Sequence, residues 1–139
     1  MAVITTRFII DKPERELYVT DISSHVNREI EKSNLKEGAV VVFIGGSTAA
    51  IGTIEYEPNL LIDLNRMLER IIPSDVEYEH SKTWGEENGK SHLRASIFGP
   101  SITIPFAQGK MLLGKWQQVV VMDFDTITRK REVIVQIIT

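Results

Sequence analysis

Short segments of β character follow one another through most of this chain. Roughly eight strands are predicted because β-branched and aromatic residues either dominate these segments or alternate with polar ones. Nine candidate segments, from which we predict these roughly eight strands, are residues 3–10, 16–20, 39–44, 51–56, 92–97, 101–106, 111–113, 117–123 and 132–138. Consecutive strands joined by short turns run antiparallel, because a parallel connection needs a crossover of a dozen or more residues. The sequence therefore predicts an α+β fold, a mostly antiparallel β sandwich.

Two helices interrupt the strands. Ile22, Val26 and Ile30 recur four residues apart and predict a helix that ends within residues 34–38. Pro58 opens a second helix with an apolar stripe, and Pro73 ends it. Between this helix and the later strands, residues 73–90 are polar and predict a functional loop.

Two local expectations concern the first strands. The turn at residues 12–15 separates the first two predicted strands, which we expect to pair as a hairpin. Residues 39–44 are continuously apolar, which predicts a strand buried on both faces.

Length, charge and cysteine content limit the class of protein. The 139 residues predict one domain over residues 1–139. The net charge of −3 argues against a nucleic-acid partner, because proteins that bind nucleic acids usually carry an excess of basic residues. No apolar run is long enough to span a bilayer, so we expect no membrane partner. The absence of cysteine excludes disulfides and thiolate metal sites and suits a cytoplasmic location.

The first candidate site is the turn that follows the 39–44 run. Gly45 and Gly46 let backbone amides point toward an anion, and Ser47 and Thr48 add hydroxyl groups. The lysine of a full phosphate-binding loop is missing, so a plain tight turn remains the alternative.

Two glutamates follow in the 51–56 segment and just after it. In an extended chain Glu55 and Glu57 share a face. Such carboxylates can hold a metal or act as acid and base, and the alternative is a solvated strand edge.

Cationic and aromatic groups supply further candidates. On the predicted strand 92–97 and the residues before it, Lys90, His92 and Arg94 would share one face and form an anion site. The alternative is a cationic surface strand. His80 could share a metal with His92, although the spacing is not that of a common metal motif.

Two further stretches complete the candidates. Gln117 follows Trp116, a pair that can hydrogen-bond and stack on a ring, although tryptophan is more often a core or interface anchor. The basic run 129–131 is expected to be a solvated turn.

Several motifs, in order, resemble the YjbQ-like family. Residues 46–50 (Gly-Ser-Thr-Ala-Ala), followed by Glu55, resemble its H-T-T-A-A … N-E motif, and residues 78–80 resemble Y-x-H. Residues 92–101 resemble H-[IVL]-[KR]-[AS]-S-x-x-G-P-S, and residues 113–117 resemble L-G-T-W-Q. Asp123, Asp125 and Arg129 fall near its closing acidic and basic positions. The resemblance covers nearly the whole chain.

The resemblance implies a homotrimer of α+β sandwiches with the activity of a secondary thiamine-phosphate synthase. That reaction joins a pyrimidine-methyl diphosphate to a thiazole phosphate and releases pyrophosphate. The candidate catalytic residues are His92, Glu55 and Arg94. The candidate binding residues for the phosphorylated small molecule are Ser47, Thr48, Lys90 and Gln117. The alternative is a non-catalytic trimer that binds a small molecule or an anion.

A divalent cation such as Mg²⁺ is the candidate cofactor, with His80, His92 and Glu55 as its candidate ligands. The chain departs from the family motifs at Gly46 and Lys90, where histidine is frequent. Two imidazoles are therefore missing, and the charge of Lys90 would repel a nearby cation. These departures disfavour a metal held by protein side chains and leave a substrate-bridged Mg²⁺ as the alternative.

Overall fold

The computed structural model describes residues 1–139 and contains eight strands and four helices. The strands are β1 (Val3–Lys12), β2 (Tyr18–Asp21), β3 (Glu37–Ile44), β4 (Ala49–Ile54), β5 (Ser101–Ala107), β6 (Lys110–Met111), β7 (Gln118–Asp123) and β8 (Arg129–Ile138). The helices are α1 (Ser23–Ser33), α2 (Pro58–Ile71), α3 (Ser81–Trp84) and α4 (Gly89–Phe98). None of these helices has the length and hydropathy required to cross a membrane.

The strands form two antiparallel sheets, which confirms the predicted α+β class. Five strands lie in the order β1-β8-β3-β5-β6, and three lie in the order β2-β7-β4. Along β7, Val119 and Val121 belong to the core shared with the large sheet and α1. Val120 and Met122 belong to a second core shared with α2 and α4. The small sheet is therefore buried on both faces.

Two expectations for the first strands are wrong. β1 pairs with β8 in the large sheet, whereas β2 pairs with β7 in the small sheet, so the two strands form no hairpin. The chain crosses between the sheets here, and buried Lys12 donates hydrogen bonds to the carbonyls of Glu14 and Glu16 at 2.6 and 2.8 Å. β3 is buried on one face, because Phe43 on the other face is 37% exposed.

The two predicted helices are confirmed, and their caps explain their limits. The Asp21 carboxylate accepts a hydrogen bond from the Ser23 amide at 3.0 Å, and α1 ends at Asn34 in a left-handed conformation. The Glu57 carboxylate accepts from the Leu60 amide at 2.6 Å at the start of α2. Glu57 is therefore a helix cap, with its carboxylate bound to the backbone of α2.

The predicted strand 92–97 is wrong, because these residues belong to α4. The buried residues Ser91, Arg94 and Ala95 are three and four apart, which is the period of a helix packed on a sheet. Ser91 donates from its hydroxyl to the Phe124 carbonyl, and Ala95 packs in the second core. The protein thus has four helices rather than two, and α3 and the start of α4 occupy part of the predicted 73–90 loop.

Arg94 attaches α4 to the end of α2. Its guanidinium donates to the Ile72 carbonyl, with Nη2 at 2.6 Å, and to Glu69 Oε1 at 2.8 Å. Ser74 also donates to the Glu69 carboxylate from its hydroxyl and its amide. The hydrogen bond from the Ser74 hydroxyl, followed by that from Arg94, lowers the pKa of Glu69 from 4.5 to about 2. This attachment sets the position of α4 and of the residues it carries.

We expect the stability that Glu69 contributes to depend on pH. Its folded pKa of about 2 lies below its ordinary 4.5. The carboxylate therefore stabilises the fold above pH 4.5, and this contribution is lost as the pH falls from 4.5 to about 2. Chemical unfolding should show wild type to be more stable than Glu69→Gln at neutral pH, with the difference shrinking across that range. A difference independent of pH would contradict this.

Candidate functional site

A cavity of about 780 Å³ opens where the 45–48 turn, α4 and the β7–β8 connection meet. Its polar lining includes Ser47, His80, His92, Asp125, Arg129 and Arg131. A smaller groove of about 240 Å³ continues between the turn and α4, and His92 lines both spaces. The structure therefore confirms that the turn lies beside His92.

The turn passes directly over a buried arginine. Gly46 has φ +107°, a conformation that favours glycine, and a Cβ added there would lie 2.8 Å from Arg131 Nη1. Thr48 Oγ1 donates to Asp125 Oδ2 at 3.1 Å and accepts from Arg131 Nη2 at 2.7 Å. The Thr48 hydroxyl is thus committed inside the protein, whereas Ser47 is exposed at the cavity.

Arg131 and Asp123 form a buried ion pair at the floor of the cavity. Arg131 Nε donates to Asp123 Oδ2 at 2.6 Å and Nη2 to Oδ1 at 3.1 Å, and each side chain is 3% exposed. Arg131 Nη1 donates to no acceptor in the chain and is not fully buried, so it is accessible at the cavity that Arg131 lines. The expectation of a solvated 129–131 turn is wrong, since these residues begin β8 and Arg131 points inward.

Three cations and two carboxylates lie around this ion pair, and the exposed Glu86 and Glu87 also line the cavity. Arg129 Nη1 lies 3.0 Å from Asp125 Oδ2. Burial alone would raise the pKa of Asp125, but hydrogen bonds from the Thr126 amide, Arg129 and Thr48 outweigh it and lower that pKa. Burial lowers the pKa of Lys12 despite attraction from Asp123 and Asp125. The cluster leaves one positive charge in excess when all five groups are ionised.

The structure brings His80 and His92 together. Their ring centroids are 4.7 Å apart and the rings meet edge to face at 71°. His80 lies at the start of α3 and His92 on α4. Both rings line the large cavity.

The expected common face of Lys90, His92 and Arg94 is wrong, because alternate residues of a helix point in different directions. Lys90 donates to the Ser74 hydroxyl at 2.9 Å and lines a separate cavity of about 650 Å³. Arg94 is 4% exposed and joins α4 to α2. Of the three, His92 alone lines the large cavity.

Glu55 and Gln117 lie at the far end of the small sheet within this chain. Ala49, next to the turn, pairs with Asp123, whereas Ile54 at the other end of β4 pairs with Gln118. Six residues of strand span about 20 Å. Gln117 Nε2 donates to Thr53 Oγ1 at 3.2 Å. Trp116 is 64% exposed, so it is no core anchor of this chain.

The residues of the cavity do not fit a divalent cation held by protein side chains. Glu55 is remote from His80 and His92, and no three histidine or carboxylate side chains converge as a metal site. The carboxylates of Asp123 and Asp125 already accept hydrogen bonds from Arg131 and Arg129. A metal ion bound to them would meet guanidinium groups of like charge.

Arg131 is the residue of the site that sequence reasoning missed. Its signal was the alternation in residues 129–138, which places position 131 on the same face as Val133, Val135 and Ile137. Those three valine and isoleucine residues are fully buried, so the arginine had to be buried with them and therefore paired.

Fold and site together define a small α+β sandwich with a polar cavity at one end, floored by a buried arginine. The family model described as "UPF0047 protein YjbQ-like" matches residues 7–139. The chain belongs to this family.

Among its curated relatives is a UPF0047 protein of Methanothermobacter thermautotrophicus. It is 37% identical over 120 residues, which cover 86% of this chain and 82% of the relative. A UPF0047 protein of Archaeoglobus fulgidus is 32% identical over 125 residues, which cover 90% of this chain and 94% of the relative.

Solved structures show the same fold. A YbjQ-like protein of unknown function from Sulfolobus solfataricus superposes with a TM-score of 0.91 at 26% identity, covering 98% of this chain and 96% of the other. An uncharacterized conserved protein of the YjbQ/UPF0047 family from Clostridium acetobutylicum gives a TM-score of 0.86 at 29% identity, covering 96% and 99%.

We expect Gly46→Ala to destabilise the protein and Gly45→Ala to have little effect. A Cβ at position 46 would meet Arg131 Nη1 in a strained backbone, which should lower the free energy of unfolding by about 1–3 kcal/mol. A Cβ at position 45 would touch only the Phe43 ring, at 4.0 Å. Urea unfolding of both variants measures the difference, and equal losses would contradict the close packing of the turn on Arg131.

Proposed function

We propose that the large cavity binds a phosphorylated small molecule and that the protein is an enzyme with weak transferase activity of the thiamine-phosphate synthase type. The observation that supports this most is the accessible Nη1 of buried Arg131 beneath a glycine turn. Fixed guanidinium donors and a glycine turn are both suited to phosphate oxygens. Arg129, Ser47 and His92 line the same space and add donors.

The proposed reaction transfers a pyrimidine-methyl group. The bond between the methyl carbon and the diphosphate oxygen breaks, the thiazole ring nitrogen bonds to that carbon, and pyrophosphate leaves with the bonding electrons. Charge that develops on the leaving group is stabilised by fixed cations, here Arg131 and Arg129. The reaction class follows from the family resemblance, whereas the cavity's charges support the binding of the diphosphate. The same proposal sets the protein in the cytoplasm, because phosphorylated substrates do not cross a bilayer unaided.

The structure changes the roles proposed for individual residues. His92 and Ser47 stay in the proposed site, His92 as a hydrogen-bonding or acid–base group for the substrate. Arg94 becomes a positioning residue that holds α4, and the Thr48 hydroxyl orients Arg131. Glu55 and Gln117 would line such a cavity only if another copy of the chain in an oligomer brought them to it.

The second candidate function is non-catalytic binding of a small molecule or anion. It is favoured by the commitment of both buried carboxylates to arginines, which leaves the exposed Glu86 and Glu87 as the carboxylates of the cavity lining that no arginine binds. Turnover of the two isotope-labelled thiamine precursors separates the candidates. Wild type that binds pyrophosphate but yields no labelled product would support binding alone.

We expect His92→Ala to fold and to lose ligand affinity or turnover, with a loss of general acid–base function on the order of 10²–10⁴. Leu93→Ala is the matched control, because Leu93 is the next residue of α4, is 47% exposed and does not line the cavity. Labelled-precursor turnover and pyrophosphate titration measure both variants. If His92→Ala loses several kcal/mol of stability yet binds normally per folded molecule, His92 is structural and this role is wrong.

We also propose a homotrimer, as the resemblance implies. Large apolar side chains exposed on both outer layers support association, since water contact with such groups is unfavourable. They include Ile9 and Phe43 on the large sheet and Ile71 and Ile97 on the helices. Light scattering at micromolar concentration should give three times the chain mass of 15.7 kDa. A monomer across that range would contradict the proposal.

A further inference from the structure

We propose that Arg131 serves this site in place of a divalent cation, so that the cavity binds a phosphate or diphosphate group without any metal. The inference rests on the proposed function in one respect, namely that the ligand is an anion. It further identifies Arg131 as the source of the neutralising charge and its Nη1 as the group that contacts the anion.

The orientation of the Arg131 guanidinium is fixed from inside the protein. Nε and Nη2 donate to Asp123, and Nη2 also donates to Thr48 Oγ1. These bonds use one edge of the planar group and leave both N–H donors of Nη1 without an acceptor. A 97%-buried cation would not leave two donors unpaired at a polar cavity unless water or a ligand accepted from them.

The absent side chain at position 46 makes room for this arrangement. Arg131 Nη1 lies 2.8 Å from the place that a Cβ of residue 46 would occupy. Any larger residue would displace the guanidinium or occupy the space above it. Because residue 46 is glycine, its backbone and the charged donor of Arg131 can both lie at the same wall of the cavity.

The charges around Arg131 favour an anion over a cation at the cavity floor, whereas the exposed Glu86 and Glu87 line another part of the same cavity. Asp125 accepts from Arg129 and Thr48, and Asp123 accepts twice from Arg131, so neither carboxylate has a free edge for a metal. Lys12, opposite Arg129 in the large sheet, adds a third cation near both aspartates. A phosphate group at Arg131 Nη1 would neutralise the excess positive charge of these five groups, whereas a divalent cation there would increase it.

The first experiment titrates inorganic pyrophosphate calorimetrically into wild-type protein, once treated with EDTA and once supplied with Mg²⁺. We expect the EDTA-treated protein to bind at least as tightly as the protein with Mg²⁺. Binding that EDTA abolishes and Mg²⁺ restores would overturn the inference and leave the anion site standing. Failure to bind under both conditions would overturn the proposed function itself.

The second experiment tests Arg131 directly with Arg131→Lys, which keeps the charge and removes the Nη1 donors. We expect the affinity for pyrophosphate to fall about tenfold or more, the effect of losing a charge-assisted hydrogen bond. Arg28→Lys is the matched control, an exposed arginine of α1 outside the cavity, and it should bind as wild type does. Unchanged affinity in Arg131→Lys would overturn the inference.

A third measurement avoids any loss of folding in the variant. In wild-type protein labelled with nitrogen-15 arginine, pyrophosphate should shift the side-chain signals of Arg131 in the presence of EDTA. The signals of Arg28 should stay in place. Shifts confined to exposed arginines, with none at Arg131, would contradict the assigned contact.

Discussion

A buried ion pair joins the two sheets at the end of the molecule where the large cavity opens. Arg131 comes from β8 of the large sheet and Asp123 from β7 of the small sheet, and their two hydrogen bonds cross the interior. Thr48, on the chain segment that passes from β3 to β4, completes the connection by accepting from Arg131. The position of the 45–48 turn therefore depends on this pair.

A pair of this kind is better understood as a device for position than as a source of stability. Two charges lose their hydration when they are buried, so a buried pair adds little net stability over apolar residues. Removing one partner is a different matter and costs about 3–5 kcal/mol, because the remaining charge stays buried and unpaired. The pair thus fixes one geometry of the turn, the guanidinium and the cavity. Burial of apolar side chains in the two cores offsets the free-energy cost of burying its charges.

The histidine side of the cavity is positioned independently of the ion pair. Arg94 and Ser91 hold α4 against α2 and the small sheet, and this places His92 opposite the turn. His80 immediately precedes the short helix α3, and its ring contacts that of His92 edge to face. The cavity therefore has a floor built on the Arg131–Asp123 pair and a wall formed by two histidine rings from α3 and α4.

Sequence reasoning predicted well the elements whose buried apolar residues recur at one regular spacing. α1, α2 and most strands show a clear apolar repeat, so their existence and type could be predicted. α4 was misread because its cationic residues alternate, while its buried residues Ser91, Arg94 and Ala95 include two polar ones. A helix that buries hydrogen-bonded polar groups has little apolar signal to detect.

The site was predicted in part for related physical reasons. The turn and His92 share a cavity, as expected from the motifs, because both are local features of single segments. Within one chain Glu55 lies away from them because the direction of β4 carries it from the turn, which sequence spacing does not reveal. Arg131 was taken for a surface residue, since only its pairing across the sheets to Asp123 makes its burial favourable.

The account's central claim is that an anion binds to Arg131 beneath the 45–48 turn. A crystal structure of the protein grown with selenate, whose selenium gives an anomalous signal, tests this most directly. We expect an anomalous peak in the large cavity, with a selenate oxygen within hydrogen-bonding distance of Arg131 Nη1 and no metal ion beside it. A cavity without selenate, or selenate held through a metal ion on His80 and His92, would contradict it.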